Sequence, residues 1–276
     1  MRRAWTALQM SLVGLTVMAM LAGCTTKTPV SGSAAAEEIE LIVFAASSLT
    51  DAFDEIAHAF EAHNPGVTVL ANYGGSSGLA TQLLEGAPAD VFASANASQM
   101  QNVVDGGRVT VDPPTFATNR LVLIVPADNP AGLTTPADLA QSGIKLVLAT
   151  PGVPVRDYAD QVIEKLAVAP GYPTDFADAV YTNLVSEEDN VRQVAAKVAL
   201  GEADAGIVYT SDVTPDIADD VLQIAIADEF NVVASYPIAP LTDAVHPEVA
   251  ARFVDFVLSR EGQSILARRG FGAAVE

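Results

Sequence analysis

Cysteine is nearly absent: among 276 residues the only one is Cys24. A disulfide framework is therefore excluded, and so is a thiol nucleophile anywhere after residue 24. Histidine occurs three times, at His58, His63 and His246. These lie far apart or on a solvent-facing helix surface, and no pair has ligand spacing with a cysteine or carboxylate, which argues against a metal centre. Basic side chains are scarce, 14 against 34 acidic, for a formal net charge of −20. So acidic a surface repels nucleic acid and anionic lipid. There is no short-period repeat.

What is present begins with a leader. Arg2 and Arg3 precede an apolar stretch from Ala4 to Leu21, which ends in Leu21-Ala22-Gly23-Cys24. This reads as a lipoprotein signal peptide over residues 1–23, cleaved before Cys24, with lipid added to the Cys24 thiol. An uncleaved membrane anchor is the alternative, since 18 residues can just span a bilayer. Residues 24–37 then read as the lipidated cysteine and a flexible tether reaching roughly 20 Å. Loss of Arg2 and Arg3 leaves 12 basic side chains against 34 acidic. A site for an anion in such a molecule has to work by local geometry against the overall field.

The mature chain opens on a near-continuous apolar run, Ile39 to Phe44, followed by Ala45-Ala46-Ser47-Ser48 and a helical pattern with Leu49, Phe53, Ile56 and Phe60 on one face. Ser48 stands where an N-cap belongs. Asp51, three residues on, completes a near-capping box and is expected to point at its own backbone. Strand, serine-bearing turn and helix then recur at Val67–Tyr73, Gly74-Gly75-Ser76-Ser77-Gly78 and Leu79–Glu85. Ala87–Ala95 reads as a turn leading into a short buried strand, and further strands are expected at Leu121–Val125, Lys145–Ala149, Ala205–Tyr209 and Val221–Ile226. Helices are expected at Arg156–Leu166, Val191–Leu200 and His246–Leu258. Alternating strands and helices make an α/β fold. The chain is expected to cross to a second lobe between Phe116 and Arg120 and to return near Asn231 to Ser235. Residues 38–118 with 235–276 then form lobe 1, and 119–234 form lobe 2. The acidic runs Glu187-Glu188-Asp189 and Asp219-Asp220 read as solvated loops.

The turns at Ser48, Ser76, Val155 and Val191 each place free N–H groups at a helix N-terminus, which favours an anion. Their recurrence suits a ligand with several oxygens. Gly74–Gly78 also contains a G-x-S-x-G pattern, so a serine hydrolase using Ser76 with Asp243 and His246 is an alternative. Against it, no HGGG-like segment lies upstream, and Asp243 and His246 are too close in sequence for separate triad loops.

Phe44-Ala45-Ala46-Ser47-Ser48-Leu49-Thr50-Asp51-Ala52-Phe53 resembles the opening motif of ModA-type molybdate-binding receptors of ABC transporters. Gly75-Ser76-Ser77-Gly78-Leu79-Ala80 with Gly86-Ala87-Pro88-Ala89-Asp90-Val91-Phe92 is similar to their second motif. Gly201-Glu202-Ala203-Asp204-Ala205-Gly206-Ile207-Val208-Tyr209 is similar to the third, and Arg269-Gly270-Phe271 also fits. The resemblance runs from Ile39 to the C-terminus. It implies a type II periplasmic-binding-protein fold: two lobes, each with a central, mainly parallel sheet flanked by helices, and a ligand cleft between them. It implies binding of molybdate and tungstate outside the cytoplasmic membrane, no cofactor, no catalysis, and delivery to a permease dimer with its ATPase by a monomer. Carried over residue by residue, the oxyanion ligands are the hydroxyls of Ser48, Ser76 and Tyr209 and the backbone N–H groups of Val155 and Val191. One extra residue in Glu188-Asp189-Asn190-Val191-Arg192 departs from the family pattern. A receptor for sulfate, phosphate or an organic anion is the alternative within binding proteins.

Overall fold

The computed structural model describes residues 38–274; the leader, Cys24 and the tether lie outside them. Strand β1 (Ile39–Ala46) is buried on both faces over its second half, which is why its sequence is a run and not an alternation. It pairs in parallel with β2 (Val67–Gly74) and with β3 (Val91–Ala93). Helix α1 (Thr50–His63) buries Ala52, Phe53, Ile56, Ala57 and Phe60 at helical spacing. Phe53 packs against Phe116 and Phe253 with ring centroids 5.7 and 6.1 Å away. Burying each such side chain contributes about 1.5–3 kcal/mol. Helices α2 (Ser76–Leu84) and α3 (Ala97–Asp105) pack on the other face.

Two long strands tie the sheet together. β4 (Thr115–Pro126) pairs antiparallel with β9 (Val233–Pro240) through Thr115–Arg120. Its remainder, Leu121–Pro126, pairs with β7 (Ala205–Tyr209) and β8 (Val221–Ala225). The far end of β9 pairs with β3. The strand order is β2-β1-β3-β9-β4-β7-β5-β6, where β5 is Leu146–Ala149 and β6 is Leu184–Glu188. Each half of this curled sheet has a parallel set at its outer edge, β2-β1-β3 and β7-β5-β6. Antiparallel pairs to β9 and β4 join the halves.

Helices α4 (Pro154–Ala167), α5 (Phe176–Thr182) and α6 (Val191–Ala199) cover the second half. α7 (Pro247–Leu258) and α8 (Arg260–Arg268) return to the first. α6 lies close on β7 because Gly206 has no side chain: a Cβ there would come 2.9 Å from Val194 Cγ1.

Glu187 and Glu188, expected in a solvated loop, belong instead to β6. Their alternation gives each a cation, Arg156 Nη1 at 2.6 Å for Glu187 and Lys197 Nζ at 2.6 Å for Glu188. Asp219 and Asp220 do lie in an exposed turn. Among the described residues no helix is long and apolar enough to cross a membrane.

Candidate functional site

Four chain segments bring a helix start to one place. After β1 the chain makes a 3-10 turn, Ser47–Leu49, before α1 begins at Thr50. After β2, Gly75 leads directly into Ser76, the first residue of α2. After β5, the turn Thr150–Val153 uses Gly152 at φ +87° and hands over to Pro154 and Val155, the first residues of α4. After β6, the Asn190 side chain accepts from Gln193 N–H at 3.2 Å and starts α6 at Val191. The fifth contribution is Tyr209, the last residue of β7.

Ser48, Ser76, Val155, Val191 and Tyr209 all line one small cavity, and each is buried. Ala46, Ser47, Gly74, Gly75, Ala95, Val153 and Pro154 complete its wall. It has a volume of about 10 Å³, the least that one water-sized sphere requires. No lysine, arginine or carboxylate lines it. A cavity of this size is far too small for a sugar or a peptide.

The hydrogen bonding leaves donors on the wall without acceptors of their own. Ser76 Oγ accepts from Ala95 N–H at 3.0 Å, so its own proton is free. Ser48 Oγ lies 3.1 Å from Tyr236 Oη. With Tyr236 as donor, the Ser48 proton is free as well. Val155 and Val191 stand in first helical turns, where N–H groups have no intrahelical acceptor. The Tyr209 hydroxyl is fully buried and has no hydrogen-bond partner. Burial, helped by Tyr236, Tyr158 and Asp212 nearby, pushes its pKa well above the ordinary tyrosine range, so it stays a neutral donor.

The expected capping role of Ser48 is not observed. Its hydroxyl turns to Tyr236, and α1 starts two residues later with no side-chain cap. Asp51 does not fold back on its own backbone either: its Oδ2 lies 2.6 Å from Arg192 Nη2, which offers a full charge where the helix offers only partial ones. The hydrolase alternative finds no support in the geometry. Neither Asp243 nor His246 lines the cavity that holds Ser76, and the Asp243 carboxylate is held by Arg108 at 3.0 Å.

Behind the cavity lies a group absent from the sequence reading. Asp212, wholly buried, accepts from Tyr209 N–H at 3.2 Å and lies 2.9 Å from Arg192 Nε. Burial pushes its carboxyl up to about 7, against the pull of Arg192 and the Tyr209 N–H. Tyr236 is also absent from it: its partner is 188 residues away, and no local pattern announces it.

This geometry has relatives. Residues 41–272 match the model of the bacterial extracellular solute-binding proteins. The chain belongs to that family. It is 38% identical over 269 residues to the molybdate-binding protein ModA of Mycobacterium tuberculosis strain H37Rv, covering 97% of this chain and 98% of that one. Two solved structures share the fold. The periplasmic molybdate-binding protein of Azotobacter vinelandii superposes with TM-score 0.73 at 19% identity, over 85% of this chain and all of that one. The sulfate-binding protein SubI of Mycobacterium tuberculosis H37Rv superposes with TM-score 0.75 at 20% identity, over 84% and 86%. The expected two-lobed binding-protein fold is thus the fold of this chain, and the ModA-type resemblance holds over nearly its whole length.

Proposed function

We propose that this protein is the molybdate receptor of an ABC transporter, with tungstate as a second ligand. The observation that carries the reading is the buried cavity of neutral donors, with the unpartnered Tyr209 hydroxyl on its wall. A desolvated dianion supplies the acceptors that these hydroxyls and N–H groups need. Hydrogen bonds to a charged group contribute about 1.5–3 kcal/mol each, and helix N-termini about 0.3–2 more. Five such donors offset desolvation and give affinity in the sub-micromolar range, roughly −8 to −12 kcal/mol. The 38% identity to a molybdate-binding protein supports molybdate as the cargo.

Residues 38–118 with 235–276 act as one lobe and 119–234 as the other, closing on the ion in a form that a membrane permease recognises. The chain works outside the cytoplasmic membrane as a monomer held by lipid on Cys24. It breaks no bond and needs no cofactor.

Phosphate is the discriminating competitor. Near neutral pH it keeps a proton much of the time, and that proton meets no carboxylate on the cavity wall. Leaving it unpaired costs about 1–3 kcal/mol. Calorimetric titration with molybdate, tungstate, sulfate and phosphate tests the reading. Molybdate and tungstate are expected to bind sub-micromolar, and Ser48→Ala and Ser76→Ala each to weaken them about ten- to a hundred-fold. Phosphate displacing molybdate at comparable concentration, or unchanged affinity in both serine variants, overturns it.

A further inference from the structure

We infer that Arg192 is the closing latch of the cleft, bridging the buried Asp212 on its own half to Asp51 on the opposite half. The inference rests on the oxyanion-receptor reading and names the residue that couples binding to closure.

The geometry is continuous around the cavity. Arg192 follows Val191, whose N–H group is one of the five donors, in the first turn of α6. Its Nε lies 2.9 Å from Asp212 Oδ1. That N–H is not aimed along the line between them, so the contact is a close approach without a well-formed hydrogen bond. Asp212 in turn accepts the backbone N–H of Tyr209, another of the donors. The pair therefore braces two ligand groups of the second half against one carboxylate. From there Nη2 reaches 2.6 Å to Asp51 Oδ2, 141 residues away and three residues after Ser48. Ser48 lies in the turn just before α1 and Asp51 in its first turn, on the first half.

Exposure separates the two partners. Asp212 is fully buried, whereas the Asp51 side chain retains 33% of its surface and Arg192 27%. Asp212 has no exposure to water, so it stays beside the guanidinium whether the halves are together or apart. Asp51 can exchange the guanidinium for water when the halves part. The bond that forms and breaks with closure is thus Arg192–Asp51. A partly exposed pair contributes little to fold stability. Across a hinge balanced within a few kcal/mol it shifts the closed population several-fold. A second set of cross-cleft contacts, Asn96 Nδ2 to Asp157 Oδ2 at 3.3 Å and Gln99 Nε2 to Gly152 O at 3.0 Å, is uncharged on the donor side and weaker.

The test uses the full chain in detergent and stopped-flow kinetics with molybdate, tungstate, sulfate and phosphate run in parallel. Asp51→Asn is expected to raise the dissociation rate of the bound anion at least five-fold, to leave the association rate within two-fold, and to leave the ligand-free melting temperature unchanged. Asp51→Glu is expected to restore most of the lost residence time. Arg192→Ala also strands Asp212, so it is not the primary variant. Wild-type dissociation rates in Asp51→Asn overturn the latch. So does a fall in ligand-free melting temperature that accounts for the loss of affinity, because the pair would then serve the fold and not closure. If sulfate or phosphate binds and molybdate does not, the cargo reading fails while the latch is still read on the anion that binds. If none binds, both fall.

Discussion

Tyr209 carries a conflict that a bound anion would resolve. Its hydroxyl is buried without a partner, a state that costs about 1–3 kcal/mol. Tyr209→Phe is therefore expected to have opposite effects on stability and binding: the ligand-free melting temperature stays level or rises, while molybdate affinity falls ten-fold or more. Scanning calorimetry with titration checks both, and a variant that loses stability without losing affinity contradicts the assignment. Asp212, three residues on, gives a pH signature. Its folded pKa of about 7 lies above the ordinary 3.8. Its neutral form is thus favoured by folding, so its contribution is complete below about pH 4 and is lost as pH rises to 7. Melting curves from pH 4 to 8.5 should show the wild type falling faster than Asp212→Asn up to about pH 7 and in parallel above it. Parallel curves throughout would show that Asp212 is ionised in the folded protein across the range. At this scale the local sequence placed the residues but not their partners. Ser48, Ser76, Val155, Val191 and Tyr209 line one cavity. The bonds of Ser48 to Tyr236 and Asp51 to Arg192 span 188 and 141 residues. A capping box was the only partner that a local reading could offer.

Gly75 sets how closely two elements meet. A Cβ on it would stand 2.4 Å from the backbone oxygen of Asp189, between β6 and α6. Its own backbone, φ −64° and ψ 131°, accommodates alanine without strain. Gly75→Ala is therefore expected to spare the ligand-free fold and to hold α2 and α6 apart, weakening molybdate by more than ten-fold. Titration calorimetry beside a thermal melt checks this; unchanged affinity would mean that the ion is bound without the Gly75–Asp189 approach. Periodicity gave the long elements well: β7 was read as Ala205–Tyr209 and is Ala205–Tyr209. It missed elements whose reason is tertiary. β6 looks like an acidic loop because its glutamates are neutralised by Arg156 and Lys197 from elsewhere in the chain. α8 buries only Gly262, Ile265 and Leu266, too narrow a stripe to read in sequence.

The whole molecule opposes its own cargo. A formal charge of −20 surrounds a site proposed for a dianion, and the cavity wall carries no cation to offset it. Recognition by neutral donors fits this arrangement, because such donors act within hydrogen-bond range while net charge acts over a Debye length, about 10 Å at 0.1 M salt. The two ranges make separate predictions. Short-range donors govern dissociation, and the long-range field governs approach. Ionic strength is then expected to speed association, since screening lifts repulsion between like charges. The usual salt dependence of a steered ligand is the reverse. One feature of the surface acts against this: a groove beside the site is lined by Arg192, Arg268 and Arg269. These cations are engaged, with Asp51 and Asp212 on Arg192 and Glu55 on the other two, so little positive field remains to steer an ion inward. Stopped-flow mixing with molybdate in 0.01 to 0.5 M sodium chloride measures the balance. Association is expected to accelerate several-fold across that range. A rate that falls with salt would mean that the arginine groove dominates the local potential despite its ion pairs and guides the anion to the cleft.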